Sequence, residues 1–172
     1  MYNWRKEIDC HSLEVNSSTM KRLVPNYQRV YLNHTDSIKI IIADDHVRVR
    51  QAWALILSTY PGIEVLAQCG DGSEVVEAVR LHAPDVVLMD INMEPVNGIE
   101  ATRVIARSNP SIRVIGVSVH ADSYHVSKMM KAGACGYVTK NSSGDEMFAA
   151  IHQVMQGQKY ICSEIEGLGV NN

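Results

Sequence analysis

The sequence lacks the features that mark several specialised classes of protein. No apolar run approaches the roughly 20 residues of a membrane-spanning helix, and residues 1–7 lead into no apolar signal-peptide core. Basic residues are not in excess, since 16 Lys and Arg stand against 19 Asp and Glu for a formal net charge of −3. The sequence therefore lacks the excess of positive charge that is typical of nucleic-acid-binding proteins. These absences predict a cytoplasmic protein without a membrane segment and without specific DNA binding of its own.

Paired cysteines are also missing. The four cysteines, Cys10, Cys69, Cys135 and Cys162, are widely separated and form no C-x-x-C pair. This spacing argues against a zinc site made of cysteines and against a disulfide scaffold. Cys69 and Cys135 fall at strand-like positions, where buried thiols are expected. Such cysteine usage indicates a reducing compartment.

The chain divides into an irregular start and a regular remainder. Residues 1–37 are polar and mixed, without sustained periodicity, which predicts a flexible or loosely docked extension. From residue 38 onward, short apolar runs alternate with helical patterns. Strands are predicted at 38–43, 63–67, 85–89, 112–117 and 135–138, each followed by a helix, and the last helix ends near Gly157.

Strict alternation of strand and helix predicts an α/β fold with a parallel sheet covered by helices on both faces. Right-handed crossovers leave few topologies open for five such units. We expect the flavodoxin-like (βα)5 doubly wound sheet with strand order 2-1-3-4-5. In that order the ligand crevice lies at the carboxyl ends of the strands, near strands 1 and 3.

Chemically active side chains follow four of these strands. Asp44 and Asp45 follow strand 1, and Asp90 ends the run Val86-Val87-Leu88-Met89 of strand 3. Ser118 follows strand 4, and Lys140 comes just after strand 5. Since the carboxyl ends of parallel strands share one edge of the sheet, we expect these side chains to converge.

Three converging carboxylates repel one another, which suggests a bound cation. Oxygen ligands with room for water suit Mg²⁺. A lysine and a hydroxyl beside the metal would bind the remaining oxygens of a phosphoryl group, and phosphoryl transfer needs mainly alignment and charge neutralisation. Asp90 would then be the nucleophile that forms an aspartyl phosphate.

Each of these residues also has an ordinary interpretation. An acidic pair after a strand, such as Asp44-Asp45, is often a helix N-cap with a favourable dipole contact. A lone serine such as Ser118 is usually structural, and a lone lysine such as Lys140 is usually a solvated charge. The functional interpretation therefore depends on all of them falling at one sheet edge.

Several motifs resemble those of one family. They are Ile40-Ile41-Ile42-Ala43-Asp44-Asp45-His46, Val87-Leu88-Met89-Asp90-Ile91, Asn97-Gly98-Ile99-Glu100-Ala101-Thr102, Val117-Ser118-Val119-His120-Ala121-Asp122 and Lys131-Ala132-Gly133-Ala134-Cys135-Gly136-Tyr137-Val138-Thr139-Lys140. In order and spacing, residues 38–157 resemble the receiver domain of bacterial two-component response regulators, most closely the NarL/FixJ (LuxR-type) branch.

The resemblance implies a role for each matching residue. Asp90 matches the phosphoacceptor, and Asp44 and Asp45 match the acidic pair that holds Mg²⁺. Asn92 lies where the family offers a backbone carbonyl to the metal. Ser118 matches the hydroxyl that turns toward the phosphoryl group, and Lys140 matches the lysine that pairs with that group. Tyr137 matches the aromatic switch residue.

The resemblance also implies the partners. The phosphoryl donor would be a sensor histidine kinase or a phosphotransfer protein, and phosphorylation would switch an interaction surface around strand 4, helix 4 and strand 5. Homodimerisation is one expected response. The protein would be a signalling protein rather than a turnover enzyme.

The chain departs from the family pattern at three places. Glu94 replaces the proline usual after the Met93 position, with Pro95 one residue later, and Asn141 follows Lys140 where many receivers have proline. An extra carboxylate at Glu94 would alter the affinity for a cation or the fit of a kinase. The sequence stops at Asn172 without the helix-turn-helix domain of the branch, so residues 158–172 are expected to be a remnant of the interdomain linker or a tail.

Several functions remain open from the sequence. The first is a receiver that works through protein contacts without an output domain, and the second is a truncated form of a DNA-binding transcriptional regulator. A third, a small aspartyl-phosphate hydrolase, usually needs a second carboxylate two residues after the nucleophile, where this chain has Asn92. A flavin-binding module would need a phosphate loop after strand 1, where Asp44 and Asp45 would repel the phosphate.

Overall fold

Six parallel strands form one sheet within residues 37–166, the part of the chain that the computed structural model describes. The strands are β1 (Ile38–Ala43), β2 (Ile63–Cys69), β3 (Val86–Asp90), β4 (Arg113–Ser118), β5 (Gly136–Thr139) and β6 (Tyr160–Ile161). The helices are α1 (Val47–Ser58), α2 (Gly72–His82), α3 (Gly98–Ser108), α4 (Ser123–Ala132), α5 (Gly144–Met155) and the single turn α6 (Ser163–Glu166).

The sheet order is β2-β1-β3-β4-β5-β6, which confirms the predicted flavodoxin-like α/β fold and adds a sixth strand at one edge. Helices α1 and α5 contact each other, while α2, α3 and α4 contact one another in series, so two helical layers enclose the sheet. All five residues of β3 are buried, as its unbroken apolar run predicts for a central parallel strand.

Polar side chains fix where the helices begin. The side chains of Asp71, Asn97, Asp122 and Ser143 each accept a hydrogen bond from the backbone amides of the helix that follows. Such caps satisfy amides that have no partner within the helix. The sequence favours Asp122 as the cap of α4, which the structure confirms, and allows either Ser142 or Ser143 as the cap of α5, where the structure has Ser143. Gly133 ends α4 with a φ of 113°, a left-handed conformation that favours glycine.

The segment after α5 packs against the edge of the sheet. The Tyr160 amide donates to the carbonyl of Cys135 at 3.1 Å, and the Cys162 amide donates to the carbonyl of Tyr137 at 3.0 Å. Ile165 is fully buried. The sequence predicted only a short extended tail here, because two strand residues are too few to show an alternating pattern.

The sequence predicts an extension before β1, a linker or tail after α5, and no membrane segment. The predicted extension over residues 1–37 lies, apart from Ser37, outside the described residues. The segment 160–166 is described, and its assignment to an interdomain linker stays a prediction. Among residues 37–166, no helix is both long enough and apolar enough to cross a bilayer.

His152 in α5 gives the fold a predicted dependence on pH. Burial lowers the pKa of His152 to about 4, and its ring packs edge-on against Phe148. In the unfolded chain this histidine is protonated as the pH falls below about 6.5, whereas in the folded chain it stays neutral until about pH 4. The contribution of the neutral ring to stability is therefore fully present above pH 6.5 and is lost as the pH falls toward 4. We expect the low pKa of His152 to reduce the free energy of unfolding by about 1–2 kcal/mol when the pH falls from 7 to 5.

Urea unfolding at pH 7 and pH 5 measures this effect. The variant His152→Gln should lose less stability on acidification than the wild type, and His82→Gln, a change at an exposed position of α2, should behave like the wild type. Equal pH dependence in wild type and His152→Gln would contradict the assignment to His152.

Candidate functional site

Two buried carboxylates and one ammonium group meet at the carboxyl edge of the sheet. Asp44 follows β1 and Asp90 ends β3, and their side chains are each 3% exposed. The Nζ atom of Lys140, which follows β5, lies 2.6 Å from Oδ2 of Asp44 and 2.9 Å from Oδ2 of Asp90. The structure thus brings together three of the residues that the sequence singled out, at the carboxyl ends of three different strands.

Burial and charge oppose each other at this site. Burial raises the pKa of Asp90 above its usual value, and the nearby Asp44 raises it further, while the hydrogen bond from Lys140 acts against both. Burial alone would lower the pKa of Lys140, but its hydrogen bonds to the two carboxylates outweigh burial and raise it. Lys140 therefore stays charged, and its charge offsets the repulsion between Asp44 and Asp90.

Asp45 and His46 extend the site toward solvent. The Asp45 side chain is 35% exposed, and its Oδ1 lies 2.5 Å from Nδ1 of His46. The backbone amide of His46 donates to Oδ1 of Asp44 at 2.9 Å. The N-cap of α1 is His46, whose side chain makes no capping hydrogen bond, so the alternative that the acidic pair caps this helix is wrong.

The donor set fits a hard divalent cation. Asp44, Asp45, His46 and Asp90 each offer one ligand atom, and these atoms lie within 4.8 Å of one another. Three of the four are carboxylate oxygens, the ligands that Mg²⁺ prefers. Asn92 is exposed and lies in the loop after β3, where its backbone amide points to Oδ1 of Asp90 at 3.4 Å.

Ser118 and Tyr137 are linked through the loop between β4 and α4. Ser118 is fully buried, and its Oγ accepts a hydrogen bond from the His120 amide at 3.1 Å. The buried Tyr137 donates its hydroxyl proton to the His120 carbonyl at 2.7 Å. Burial raises the pKa of Tyr137 to about 12, which keeps this hydroxyl a donor at neutral pH. The Lys140 amide also donates to the Ser118 carbonyl at 2.7 Å.

In the loop after β3, the backbone of Gly98 lies very close to the backbone of Asp90 and Ile91. The Gly98 amide donates to the Ile91 carbonyl at 3.0 Å, and a Cβ atom on Gly98 would lie 1.9 Å from the Asp90 carbonyl oxygen. The exposed Glu94, with a cis peptide bond to Pro95, lies within this loop. Only glycine at residue 98 therefore lets α3 begin so near the site.

Gly98→Ala should destabilise the fold because either the Asp90 carbonyl or the start of α3 must move to accommodate the methyl group. We expect a loss of about 3 kcal/mol in the free energy of unfolding. Gly70→Ala is the matched control, because its Cβ would approach only the ends of the Glu74 and Arg50 side chains at 3.5 and 3.7 Å. Urea unfolding of both variants decides the matter, and equal losses would contradict the prediction.

Some contributors to the site were not predicted from the sequence. His46 was noted within a motif but not as a neighbour of the carboxylates, although its position directly after Asp45 was a signal. Arg50 donates from Nη1 to the backbone carbonyl of Asp44. Its place one helical turn after His46 gives no hint of this contact, because the target is a main-chain atom.

Comparisons with known proteins agree with this geometry. The family model described as the response regulator receiver domain matches residues 40–152. The protein belongs to the response regulator receiver domain family. This membership places it among two-component signalling proteins, whose members include regulators of transcription.

Two curated response regulators are similar to this chain over most of its length. The chain is 42% identical over 126 residues to the transcriptional regulatory protein DegU of Brevibacillus brevis, which covers 73% of this chain and 53% of that protein. It is 41% identical over 128 residues to the response regulator UvrY of Escherichia coli K12, covering 74% of this chain and 59% of UvrY. The chain thus spans somewhat more than half the length of these curated relatives.

Solved structures show the same fold. A LuxR-family two-component response regulator from Aurantimonas sp. SI85-9A1 aligns with a TM-score of 0.73 and 32% identity, covering 77% of this chain and 94% of the other. The signal receiver domain of the putative response regulator NarL from Mycobacterium tuberculosis aligns with a TM-score of 0.69 and 25% identity, covering 72% of this chain and 99% of the other.

Proposed function

We propose that this protein accepts a phosphoryl group on Asp90 from a histidine kinase or a phosphotransfer protein. The observation that carries the proposal is the bridge that Lys140 makes between Asp44 and Asp90, at 2.6 and 2.9 Å, where three strands end. A buried carboxylate with its pKa raised by burial is a basic nucleophile, and the adjacent ammonium can bind a phosphoryl oxygen.

Mg²⁺ is the cofactor that the donor set suits. Asp44, Asp45 and Asp90 would hold it with their carboxylates, and Asn92 would add its backbone carbonyl. When bound, the cation supplies positive charge to the oxygens of the transferring group. The residues of the chain align the reactants: Asp90 presents the attacking oxygen, and Lys140 neutralises charge on the transferring group.

The switch rests on Ser118, Tyr137 and Lys140. Lys140 and Ser118 are joined by a backbone hydrogen bond, and Ser118 and Tyr137 both bond to the main chain of His120. A phosphoryl group that draws Lys140 and the Ser118 hydroxyl toward Asp90 would therefore disturb His120 and Tyr137. The surface formed by β4, α4 and β5 is where a partner, or a second copy of the chain, would sense the change.

The protein acts in this proposal as a signalling switch of the cytoplasm rather than as a turnover enzyme. Asn92 stands two residues after Asp90, where a hydrolase of aspartyl phosphates would use a carboxylate as general acid and base. An amide cannot exchange a proton in this way at neutral pH, so the phosphorylated form should persist long enough to signal.

A second candidate places the same switch in a transcription factor. The specific observation is the 42% identity with DegU, which is described as a transcriptional regulatory protein. In that case residues 38–157 are the receiver, and residues 158–172 belong to the linker that leads toward a DNA-binding domain. The switching surface would then control DNA binding by that domain.

The proposal is tested by incubation with acetyl phosphate. With millimolar Mg²⁺, we expect one hydroxylamine-labile phosphoryl group per chain by intact-mass spectrometry. Removing divalent ions with EDTA should prevent uptake, because Lys140 alone then faces the charge of the carboxylates and of the negative donor. Uptake at full rate in EDTA would contradict the metal site, and failure to accumulate any phosphoprotein despite rapid consumption of the donor would favour the hydrolase.

A further inference from the structure

A second group of potential metal ligands lies in the loop between β4 and α4 and at the start of α4. This group, which we term the histidine cluster, consists of His120, Asp122 and His125. Each residue offers one ligand atom, and the three atoms lie within 4.8 Å of one another. The proposed phosphorylation chemistry uses none of these side chains.

The side chains of the cluster are held in place by their neighbours. The rings of His120 and His125 stack with centroids 4.2 Å apart and planes 6° from parallel. Oδ2 of Asp122 lies 2.7 Å from Nδ1 of His125, while Oδ1 accepts the amides of Tyr124 and His125. The Tyr124 ring packs edge-on against His125 at 5.3 Å.

We propose that His120, Asp122 and His125 form a binding site for a divalent transition-metal ion of the Zn²⁺ type. Two imidazoles and one carboxylate form a donor set typical of Zn²⁺, with further positions open to water. The hydrogen bonds from His125 hold the pKa of Asp122 below its usual value, so the carboxylate is charged at neutral pH.

Binding requires the two rings to turn out of their parallel stack, because each imidazole nitrogen binds a metal along the plane of its own ring. Ligand atoms about 2.0–2.1 Å from a tetrahedral metal stand roughly 3.3 Å apart, so atoms now within 4.8 Å of one another must approach by at most about 1.5 Å. His125 is 24% exposed and Asp122 is 47% exposed along the side chain, which leaves room for such rotations and for entry of the ion. Of the two carboxylate oxygens, Oδ2 faces the histidine, while Oδ1 stays bound to the helix amides.

The site would act on the switch through the main chain of His120. The amide of His120 donates to Ser118 Oγ, and its carbonyl accepts the Tyr137 hydroxyl. An ion that fixes the His120 side chain therefore restrains the backbone to which both switch residues bond. By thermodynamic linkage, if the switch state changes the affinity for the ion by some factor, the ion changes the equilibrium between the switch states by the same factor.

Titration of the full chain with ZnCl₂ by calorimetry tests the proposal. Excess MgCl₂ is present so that the acidic site near Asp90 does not compete. We expect one Zn²⁺ per chain, with binding at least tenfold weaker in His120→Gln and in His125→Gln. In the wild type, Zn²⁺ should also shift the backbone NMR signals of Ser118 and Tyr137, and it should not do so in either variant.

Control variants and a second metal test whether the ion binds elsewhere in the chain. His82→Gln, at an exposed position of α2, and His46→Gln, beside the acidic site, should bind as the wild type does. Co²⁺ in place of Zn²⁺ should give a spectrum without an intense thiolate band. The proposal is overturned if both cluster variants bind like the wild type, if His46→Gln loses the ion instead, or if cobalt reports cysteine ligands. Thermal unfolding of each variant verifies that it is folded.

Binding measured in this way needs no phosphorylation. A failure of the histidine cluster to bind Zn²⁺ leaves the proposed function of Asp90 untouched. Equally, a protein that takes no phosphoryl group could still bind the ion.

Discussion

Asp90→Asn should reduce phosphoryl uptake from acetyl phosphate to background. Asparagine has nearly the same shape and its amide oxygen can still accept the hydrogen bond from Lys140, so the fold should persist. Its amide is not a nucleophile toward phosphorus, however, and it can form no acyl phosphate. Intact-mass spectrometry after incubation with Mg²⁺ and the donor measures the loss.

The matched control is Asp145→Asn in α5. Oδ1 of Asp145 accepts a hydrogen bond from the Tyr60 hydroxyl at 2.7 Å, which an asparagine can retain. This variant should be labelled like the wild type. Labelling of Asp90→Asn at the wild-type level would show that another residue is the acceptor, and the assignment to Asp90 would fail.

Lys140→Ala should leave a protein that accepts phosphate but switches poorly. Without the ammonium, Asp44 and Asp90 face each other in a buried site with no positive charge between them. Removing one partner from a buried ion pair costs about 3 kcal/mol or more, and we expect a loss of this size without divalent ions. Excess Mg²⁺ should restore part of the stability, because the cation replaces the lost charge.

Two measurements separate these effects. Urea unfolding with and without Mg²⁺ gives the stability, and the oligomeric state or kinase binding before and after phosphorylation gives the switch. Lys159→Ala, at an exposed position between α5 and β6 and outside the switching surface, should match the wild type in both. A Lys140→Ala protein that is as stable as the wild type without Mg²⁺, or that responds fully to phosphorylation, would contradict the role of Lys140.

The fold could be predicted because its central strands carry unambiguous signals. The run from Val86 to Met89 has no polar residue, and such a short run between turn signals is typical of a strand buried on both faces. The same holds for Ile40, Ile41 and Ile42 in β1. Helix starts were also readable, since Asp122 and Ser143 are residue types that cap helices.

Other parts of the fold exceeded what the sequence can signal. Strand ends differ from prediction by one or two residues, as for β2, which runs to Cys69 rather than residue 67. Hydrogen bonding with a neighbouring strand decides such ends, and a single sequence does not contain it. Cys135, expected to be buried within a strand, is half-buried and precedes β5.

The site was predictable to the extent that it follows from topology. Parallel strands place their carboxyl ends at one edge, so the meeting of Asp44, Asp90 and Lys140 followed from the strand assignment alone. The histidine cluster and the contacts of His120 with Ser118 and Tyr137 did not follow. They depend on the path of one loop and on side-chain rotamers, which local sequence patterns leave undetermined.

The two residues of β6 have a practical consequence for solubility. Without them, β5 would be an edge strand, and the carbonyls of Cys135 and Tyr137 would be free to pair with a strand of another molecule. A receiver fragment that stops at Gly157 would expose this edge and uncover the pocket that Ile165 fills. A fragment that runs through Glu166 keeps the edge covered, so it is the better choice for crystallisation or NMR.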